Sequence, residues 1–332
     1  MLNRNAEALF WTGRYMERAE NHARLIDVHY HLQADDGAAG GAGEPAEAAT
    51  GNVSVKWAYI VEALGSGERY ERQYGSYSEQ DVLRYVALDK DNENSLLCCV
   101  KHARGNLRTL REKVPAELWE AVNGFYLWLR DKEPENMMRE SPHLLFGRIK
   151  EWAALFQGFG QSVMPRENEW HFIECGRYLE RAENTLRIMK AAVFASDLES
   201  RNASGGYAYL VAVLKSLGAY QPFRRYCADA VSEETIAEFL VLHPAFPRSV
   251  YFAIHALEDH MRRIELQDGQ LRAAHERIIR QVGKVKADLA CLEREDIRLD
   301  GAGAIVAHLA DASRHLGAAF AKTFFRMGEA TA

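Results

Sequence analysis

The sequence has little of what breaks helices, forms disulfide frameworks or spans membranes. Its 332 residues include only 8 prolines and 24 glycines, which leaves long stretches free to form helices. The 5 cysteines are an odd number without a CxxC pair, so we expect a reducing compartment, the cytoplasm, rather than a disulfide framework. The longest uncharged stretch, Trp152 to Pro165, is shorter than the ~18–20 residues of a membrane span. The first residues lack the apolar run of a secretory signal, so we expect none.

The balance of charge excludes one class of partner. The chain has 41 Lys and Arg against 47 Asp and Glu, a net charge of −6, so no positive excess is present to displace counterions from nucleic acid. We therefore expect no nucleic-acid partner, and the lack of a span-length uncharged stretch predicts no membrane partner. The hydrophobic share of 48% is ample for a buried core, and the length fits about two units of ~150 residues each.

One nine-residue motif occurs twice. Residues 13–21 (GRYMERAEN) recur as residues 176–184 (GRYLERAEN), identical at eight of nine positions. Two weaker echoes follow in the same order: residues 58–61 against 208–211, and the segment ending at Ser95 against the one ending at Ser249. The ordered echoes predict an internal duplication, with one helical repeat over residues 1–160 and a second over 161–332, packed together into one unit.

The spacing of apolar residues predicts the fold class. Leu118, Val122, Phe125 and Leu129 follow the three- and four-residue spacing of a helix, and similar patterns run through most of the chain. No alternating run typical of a strand stands between turn pairs. We predict an all-α helical bundle of two pseudo-symmetric repeats, with a flexible Gly/Ala-rich loop at residues 34–54.

The repeated motif collects its polar residues on one side of its helix. Glu17, Glu20 and Arg24 share this stripe with Gly13. A glycine within a helix costs about 1 kcal/mol relative to alanine, so its presence in both copies predicts a close approach by another element. The stripe is therefore expected to face another helix or a ligand. A buried ion network and a binding site both remain open.

A binding site would give these residues distinct roles. Arginines would clamp carboxylate or phosphate groups, whereas glutamates would receive an amine or move a proton, because close like charges push one pKa upward. The candidate binding residues are Arg14, Arg18, Asn21, Arg24, Arg177, Arg181, Asn184 and Arg187, and the candidate catalytic residues are Glu17, Glu20, Glu180 and Glu183. The neighbouring arginines oppose a cation, so no metal is expected, and the absence of a P-loop or dinucleotide motif predicts no cofactor.

A second basic cluster lies between the two motifs. Its candidate binding residues are Arg104, Asn106, Arg108 and Arg111, with three arginines on one side of a helix. The matching region of the second half is only partly basic. Ion pairing between this helix and an acidic one is favoured over an asymmetric anion site.

These motifs together resemble the bacterial alpha-E domain family. The resemblance rests on the opening residues 1–4, on Trp11 with the first repeated motif, on Arg104 and Asn106 with Trp119 and Asn123, and on residues 170–183. It departs from the family pattern at Gly105, where a glutamate is expected. The resemblance implies an all-helical protein that accompanies an ATP-grasp peptide ligase, with a transglutaminase-like peptidase as a further partner.

The resemblance does not supply a defined activity, and three functional hypotheses follow. The leading one is a helical partner or substrate-binding subunit of an ATP-grasp-type amide or peptide ligase, which handles a small peptide, a peptide tag or an amino acid. The second is a self-contained enzyme that uses the paired glutamates as acid and base. The third is a pure interaction scaffold.

Overall fold

A computed structural model describes residues 3–39, 57–139, 141–199, 205–227, 231–300 and 302–325. Within these ranges the chain is helical and has no strand, which confirms the all-α prediction. The first eight helices are α1 (Asn3–Ala39), α2 (57–63), α3 (Gly67–Tyr74), α4 (Glu79–Ala87), α5 (Leu96–Arg108), α6 (Ala116–Arg130), α7 (Pro134–Arg139) and α8 (Pro142–Val163). The next eight are α9 (Asn168–Glu199), α10 (Gly205–Ser216), α11 (Tyr220–Tyr226), α12 (Glu233–Leu242), α13 (Val250–Arg262), α14 (Gly269–Cys291), α15 (Arg294–Asp300) and α16 (Ala302–Phe324).

The two long helices α1 and α9 pack against each other at the centre of the bundle. A side chain at Gly13 would overlap the carbonyl oxygen of Ile173, and one at Gly176 would overlap that of Phe10. These reciprocal clashes confirm the close approach that the glycines predict. Further along, Glu17 meets Arg181, so contacts advance in the same direction on both helices and the pair runs parallel.

The remaining long helices surround this pair in matching positions. Helix α5 packs on α1 and α13 packs on α9, while α8 and α16 cover the other sides of α1 and α9. Both α5 and α13 begin at a serine N-cap, Ser95 and Ser249, whose side chain accepts a hydrogen bond from the third residue of the helix. The matched order supports the duplication and the two-repeat division, which stay predictions.

The glycine-rich loop begins later than the sequence predicts. Helix α1 continues to Ala39, so residues 34–39 are helical rather than part of the loop, and residues 40–54 lie outside the described part of the chain. A single glycine at position 37 costs a helix only about 1 kcal/mol, and the alanines within residues 34–39 favour helix. Propensity therefore extends the helix into the segment that composition assigned to a loop.

Candidate functional site

The two repeated motifs face each other across the α1–α9 interface. The Glu17 carboxylate accepts two hydrogen bonds from Arg181, from Nε at 2.8 Å and from Nη2 at 2.7 Å. The Glu180 carboxylate accepts the same pair from Arg18, both at 2.9 Å. Each glutamate is therefore held by the arginine that follows its counterpart in the other motif. A bidentate guanidinium–carboxylate pair is among the strongest polar contacts in a protein.

Further arginines surround Glu180. Arg14 donates to it from Nε at 2.8 Å, and Arg187 donates from Nη2 at 2.9 Å. Three guanidinium groups thus share one fully buried carboxylate. Burial alone would raise the pKa of Glu180, but these arginines outweigh it and hold the pKa well below its usual range.

Glu17 has the same electrostatic balance. Burial would raise its pKa, yet Arg181 and Arg248 lower it to about 2. Both carboxylates are therefore ionised at neutral pH, and their oxygens already accept hydrogen bonds from arginines. For Glu17 and Glu180 this arrangement favours the ion-network alternative over acid–base catalysis.

The second glutamate of each motif, Glu20 or Glu183, has different hydrogen-bond partners on the two helices. Glu20 Oε1 accepts hydrogen bonds from Arg24 Nε at 2.8 Å and Arg248 Nη2 at 2.6 Å, and its Oε2 accepts from Gln157 Nε2 at 2.8 Å. Glu183, by contrast, pairs with Arg14 as its ion-pair partner within the described chain. Burial raises the pKa of Glu183, and Arg14 offsets this only in part.

Arg248 is a site residue that the repeated motif does not contain. It lies just before the N-cap of α13 and reaches Glu17, Glu20 and Asn21. Asn94 has the equivalent place before α5, where its Oδ1 accepts a hydrogen bond of 2.8 Å from Arg18. The echo that ends at Ser95 and Ser249 pointed to this region, but an isolated arginine in a loop has no pattern of its own.

The remaining candidates of the motifs lie around the network. Arg177 pairs with Glu174 on its own helix, through Nε and Oε1 at 2.9 Å, rather than across the interface. Asn184 is buried in the same helix pair, whereas the side chain of Arg24 is about one-third exposed. The interface thus brings together most of the predicted binding residues, but their side chains bind the glutamates of the motifs or pack within the protein.

Among the residues that the structure describes, the basic cluster on α5 does not form the predicted ion pairs. Arg104 Nε donates to Asn123 Oδ1 at 2.8 Å, and its guanidinium lies 4.8 Å from the centre of the Tyr126 ring. Arg111 lies 4.1 Å from the Trp119 ring, while Arg108 is exposed. The facing helix α6 presents aromatic faces instead of carboxylates here, and such faces attract guanidinium groups.

A cleft of about 310 Å³ opens between α1 and α5, beside the network. We call it the α1–α5 cleft; it is lined by Arg4, Glu7, Ala8, Trp11, Tyr15, His102 and Asn106. The Tyr15 and His102 rings stack at 5.2 Å. Burial raises the pKa of Tyr15 and lowers that of His102, so both side chains are neutral at pH 7. Of the candidate residues in the basic cluster, Asn106 is the one in this cleft.

The corresponding position between α9 and α13 holds a similar stacked pair and a second histidine. His260 stacks on Tyr178 with ring centres 5.6 Å apart, and its Nδ1 lies 3.0 Å from His171 Nδ1. Burial and neighbouring positive charge lower the pKa of His260 to about 3, so its ring is neutral at pH 7. No described helix is long and apolar enough to cross a bilayer.

Comparison with known proteins gives one family and three distant relatives. A family model named Alpha-E, described as "a predicted alpha-helical domain with a conserved ER motif", matches residues 1–325. Each copy of the repeated motif in this chain contains a Glu-Arg dipeptide, at residues 17–18 and 180–181, among several elsewhere. An uncharacterized protein of Mycobacterium bovis and two of Mycobacterium tuberculosis are 23% identical over 310 residues, which is 91% of this chain and 34% of each relative. The chain thus spans about a third of their length. No solved structure matches it.

Proposed function

The chain belongs to the Alpha-E family, and from that premise we propose that it is a substrate-binding partner of an ATP-grasp-type amide or peptide ligase. Its ligand would be a small peptide, a peptide tag or an amino acid. The observation that carries the proposal is the α1–α5 cleft, which combines opposite charges with aromatic rings next to a rigid ion network.

The chemistry of the cleft suits a zwitterionic ligand. Arg4 offers a guanidinium for a carboxylate and Glu7 offers a carboxylate for an amine. The rings of Trp11 and Tyr15 form an apolar wall, and the Asn106 amide adds a donor and an acceptor. A few convergent polar groups on an aromatic surface are typical of a small-molecule site.

The ion network supports one wall of the cleft. The Arg14 guanidinium lies 5.2 Å from the centre of the Trp11 ring, and the same Arg14 is bound to Glu180. Trp11 is therefore held by a side chain that cannot move without breaking a buried ion pair. In this proposal the glutamates act by holding the cleft in shape rather than by reacting.

A partner for the chemical step is supported by two further observations. The sequence lacks the phosphate-binding motifs that would let the chain use ATP by itself. The curated relatives carry the matched region within a chain about three times as long, so there the helical unit is joined to other segments. Both facts favour a subunit that presents a substrate over one that activates it.

The test begins with purification of the tagged full-length chain from its native cells and mass spectrometry of the proteins that accompany it. We expect an ATP-grasp ligase in stoichiometric amount; a transglutaminase-like peptidase would extend the complex. Adding the chain should then raise ATP consumption by the recovered ligase with its amino-acid or peptide substrate. Recovery of the chain alone, together with unchanged ligase turnover, would overturn the proposal.

Two variants locate the effect in the cleft. Arg4→Ala combined with Asn106→Ala should raise the KM of the stimulated ligase for its amino-acid or peptide substrate about tenfold. Arg108→Ala is the matched control, since Arg108 lies on α5 like Asn106 but is exposed and does not line the cleft. Equal effects from the two changes would remove the cleft from the proposal.

Glu183 is the reason to keep a self-contained enzyme as the second candidate. Its pKa is raised by burial, it is bound by Arg14, and the nearby Arg187 has a buried Nε that finds no hydrogen-bond partner in the described residues. A carboxyl group with a raised pKa and a free oxygen is the usual form of a general acid or base.

Glu183→Gln separates the two candidates. If the purified chain forms product without a partner, and Glu183→Gln abolishes that activity while Glu20→Gln retains it, the enzyme is the correct function. If neither change alters the product of the complex, Glu183 has no chemical role. If the protein is a scaffold, the glutamate changes should weaken only its assembly with partners.

A further inference from the structure

A cluster of three side chains outside the ion network has the composition of a metal site. Asp27 and His31 lie four residues apart on α1 and so share one face of the helix. His143 comes from the start of α8, 112 residues after His31. The ligand-capable atoms of these three residues all lie within 4.8 Å of one another.

The three atoms converge on a single point. His143 Nδ1 lies 2.6 Å from Asp27 Oδ1 and 2.8 Å from His31 Nε2, and His31 Nε2 lies 3.6 Å from the same Asp27 oxygen. Ligands at ~2.0–2.1 Å from a tetrahedral ion are about 3.3 Å apart. The observed separations bracket this value, so small side-chain movements would admit an ion.

Hydrogen bonds alone satisfy this cluster poorly. A neutral imidazole carries one N–H, which points from one ring nitrogen in one direction. If His143 Nδ1 donates to Asp27, its one N–H must be shared between Asp27 and His31 Nε2; if it accepts from His31, its lone pair faces a carboxylate oxygen at 2.6 Å. A cation at the centre turns all three lone pairs into ligands.

A neighbouring lysine fixes the orientation of the Asp27 carboxylate. Lys150 Nζ donates to Asp27 Oδ2 at 2.6 Å, which fixes the carboxylate and directs Oδ1 alone toward the histidines. Outer contacts of this kind orient ligands in many metal sites. The histidine side chains are about half exposed, at 51% and 48%, so water can reach the remaining coordination positions.

We propose that Asp27, His31 and His143 bind one divalent first-row transition-metal ion, with Zn²⁺ as the best fit. Two imidazole nitrogens and one carboxylate oxygen suit Zn²⁺ or its neighbours, whereas Mg²⁺ and Ca²⁺ require mostly oxygen ligands. The sequence-based expectation of no metal concerned only the glutamates of the repeated motif, whose neighbouring arginines oppose a cation. This site draws on a histidine distant in sequence.

The site belongs to one half of the chain. The positions 163 residues after Asp27 and His31 hold Lys190 and Phe194, neither of which can replace a metal ligand there. The metal is therefore independent of the repeated ion network. Its presence does not depend on the proposed ligase partnership either.

The test is zinc binding to the full-length chain after treatment with a chelator and dialysis, measured by calorimetry and by competition with a chromophoric zinc indicator. We expect one equivalent of Zn²⁺ with a micromolar or tighter dissociation constant, and no binding of Mg²⁺ at millimolar concentration. His31→Ala, His143→Ala and Asp27→Asn should each weaken the binding at least tenfold. Circular dichroism would confirm that each variant stays helical.

His255 supplies a matched control. It is 49% exposed and stands four residues from Asp259 on α13, so it reproduces the helical spacing of the cluster without the second histidine. His255→Ala should leave zinc affinity unchanged. Absence of zinc binding at 100 μM, or equal loss in His255→Ala and His143→Ala, would overturn the proposal.

Discussion

Glu20 and Glu183 hold the same place in two nearly identical motifs, yet they lie in different surroundings. Glu20 is bound by Arg24, Arg248 and Gln157, whereas Glu183 is bound by Arg14. On the Glu183 side, Asn94 stands where Arg248 stands on the other, and Gly317 of α16 lies where α8 provides Gln157. A repeated motif therefore fixes the central pairing, while the elements packed around it decide which partners the second glutamate of each copy binds.

Removal of the Glu180 carboxylate should cause the largest loss of stability, because it breaks the ion pairing that the two motifs share. Glu180→Gln leaves Arg14, Arg18 and Arg187 around a neutral amide, and a buried pair that loses one partner costs about 3–5 kcal/mol. Urea unfolding measures the loss. Glu151→Gln, an exposed glutamate paired with Arg148, is the control and should change stability little. Similar losses in both would mean that the network contributes no special stability.

Acid titration should separate the two kinds of glutamate. The folded pKa of Glu17 is about 2, below its ordinary value of 4.5, so its contribution is complete above pH 4.5 and disappears as the pH falls toward 2. This contribution amounts to about 3 kcal/mol. The pKa of Glu183 is shifted upward, so its contribution has the opposite sign: it is complete below pH 4.5 and is lost as the pH rises through the folded value.

Unfolding free energies measured from pH 3 to pH 8 in the wild type and in Glu183→Gln check this difference. The variant should lack the decline above pH 4.5 and keep the acid-side loss. Identical profiles would mean that Glu183 titrates as it does in the unfolded chain.

The helix contact should respond next. Gly176→Ala places a methyl group against the Phe10 carbonyl, and overpacking of this kind costs about 1–3 kcal/mol. Gly105→Ala, also within a helix, meets open space and should stabilise the chain by about 0.5–1 kcal/mol. Thermal unfolding compares the two. Stabilisation by both would contradict the close approach.

Giving Glu183 an amide partner like that of Glu20 should produce the smallest change in stability. An added Cβ at Gly317 would lie 3.7 Å from Glu183 Oε1, so Gly317→Gln can give Glu183 the amide partner that Glu20 has. We expect a gain of about 1 kcal/mol from helix propensity and the new hydrogen bond, with a lower pKa for Glu183. Gly317→Ala isolates the propensity. If both variants have the same pH profile, the amide does not reach the carboxylate.

The sequence predicted the parts of this molecule that depend on local pattern. Helical spacing gave the all-α class, and the unfavourable glycines at 13 and 176 indicated a close helix contact. It left the ion network and the binding site undecided, because a helical pattern reveals which residues share a face but not what faces them. Two partners of Glu20, Arg248 and Gln157, also come from elements outside the motif.

Two features of the structure lay beyond what the sequence predicted, for related reasons. The arginines of α5 suggested acidic partners, but Arg104 and Arg111 meet the aromatic faces of α6, which charge counting ignores. The triad of Asp27, His31 and His143 escaped notice because only two of its members share a helix. Long-range contacts of single side chains have no signature in one sequence.

The parallel pairing of α1 with α9 has a consequence for synthesis of the chain. Arg18 and its partner Glu180 are 162 residues apart, so at about 5–20 residues per second α1 leaves the ribosome on the order of 10–30 s before its partner. During this interval an apolar face would invite aggregation, whereas the stripe of glutamates and arginines remains hydrated. A charged interface thus keeps the exposed face of α1 hydrated until α9 has been synthesised.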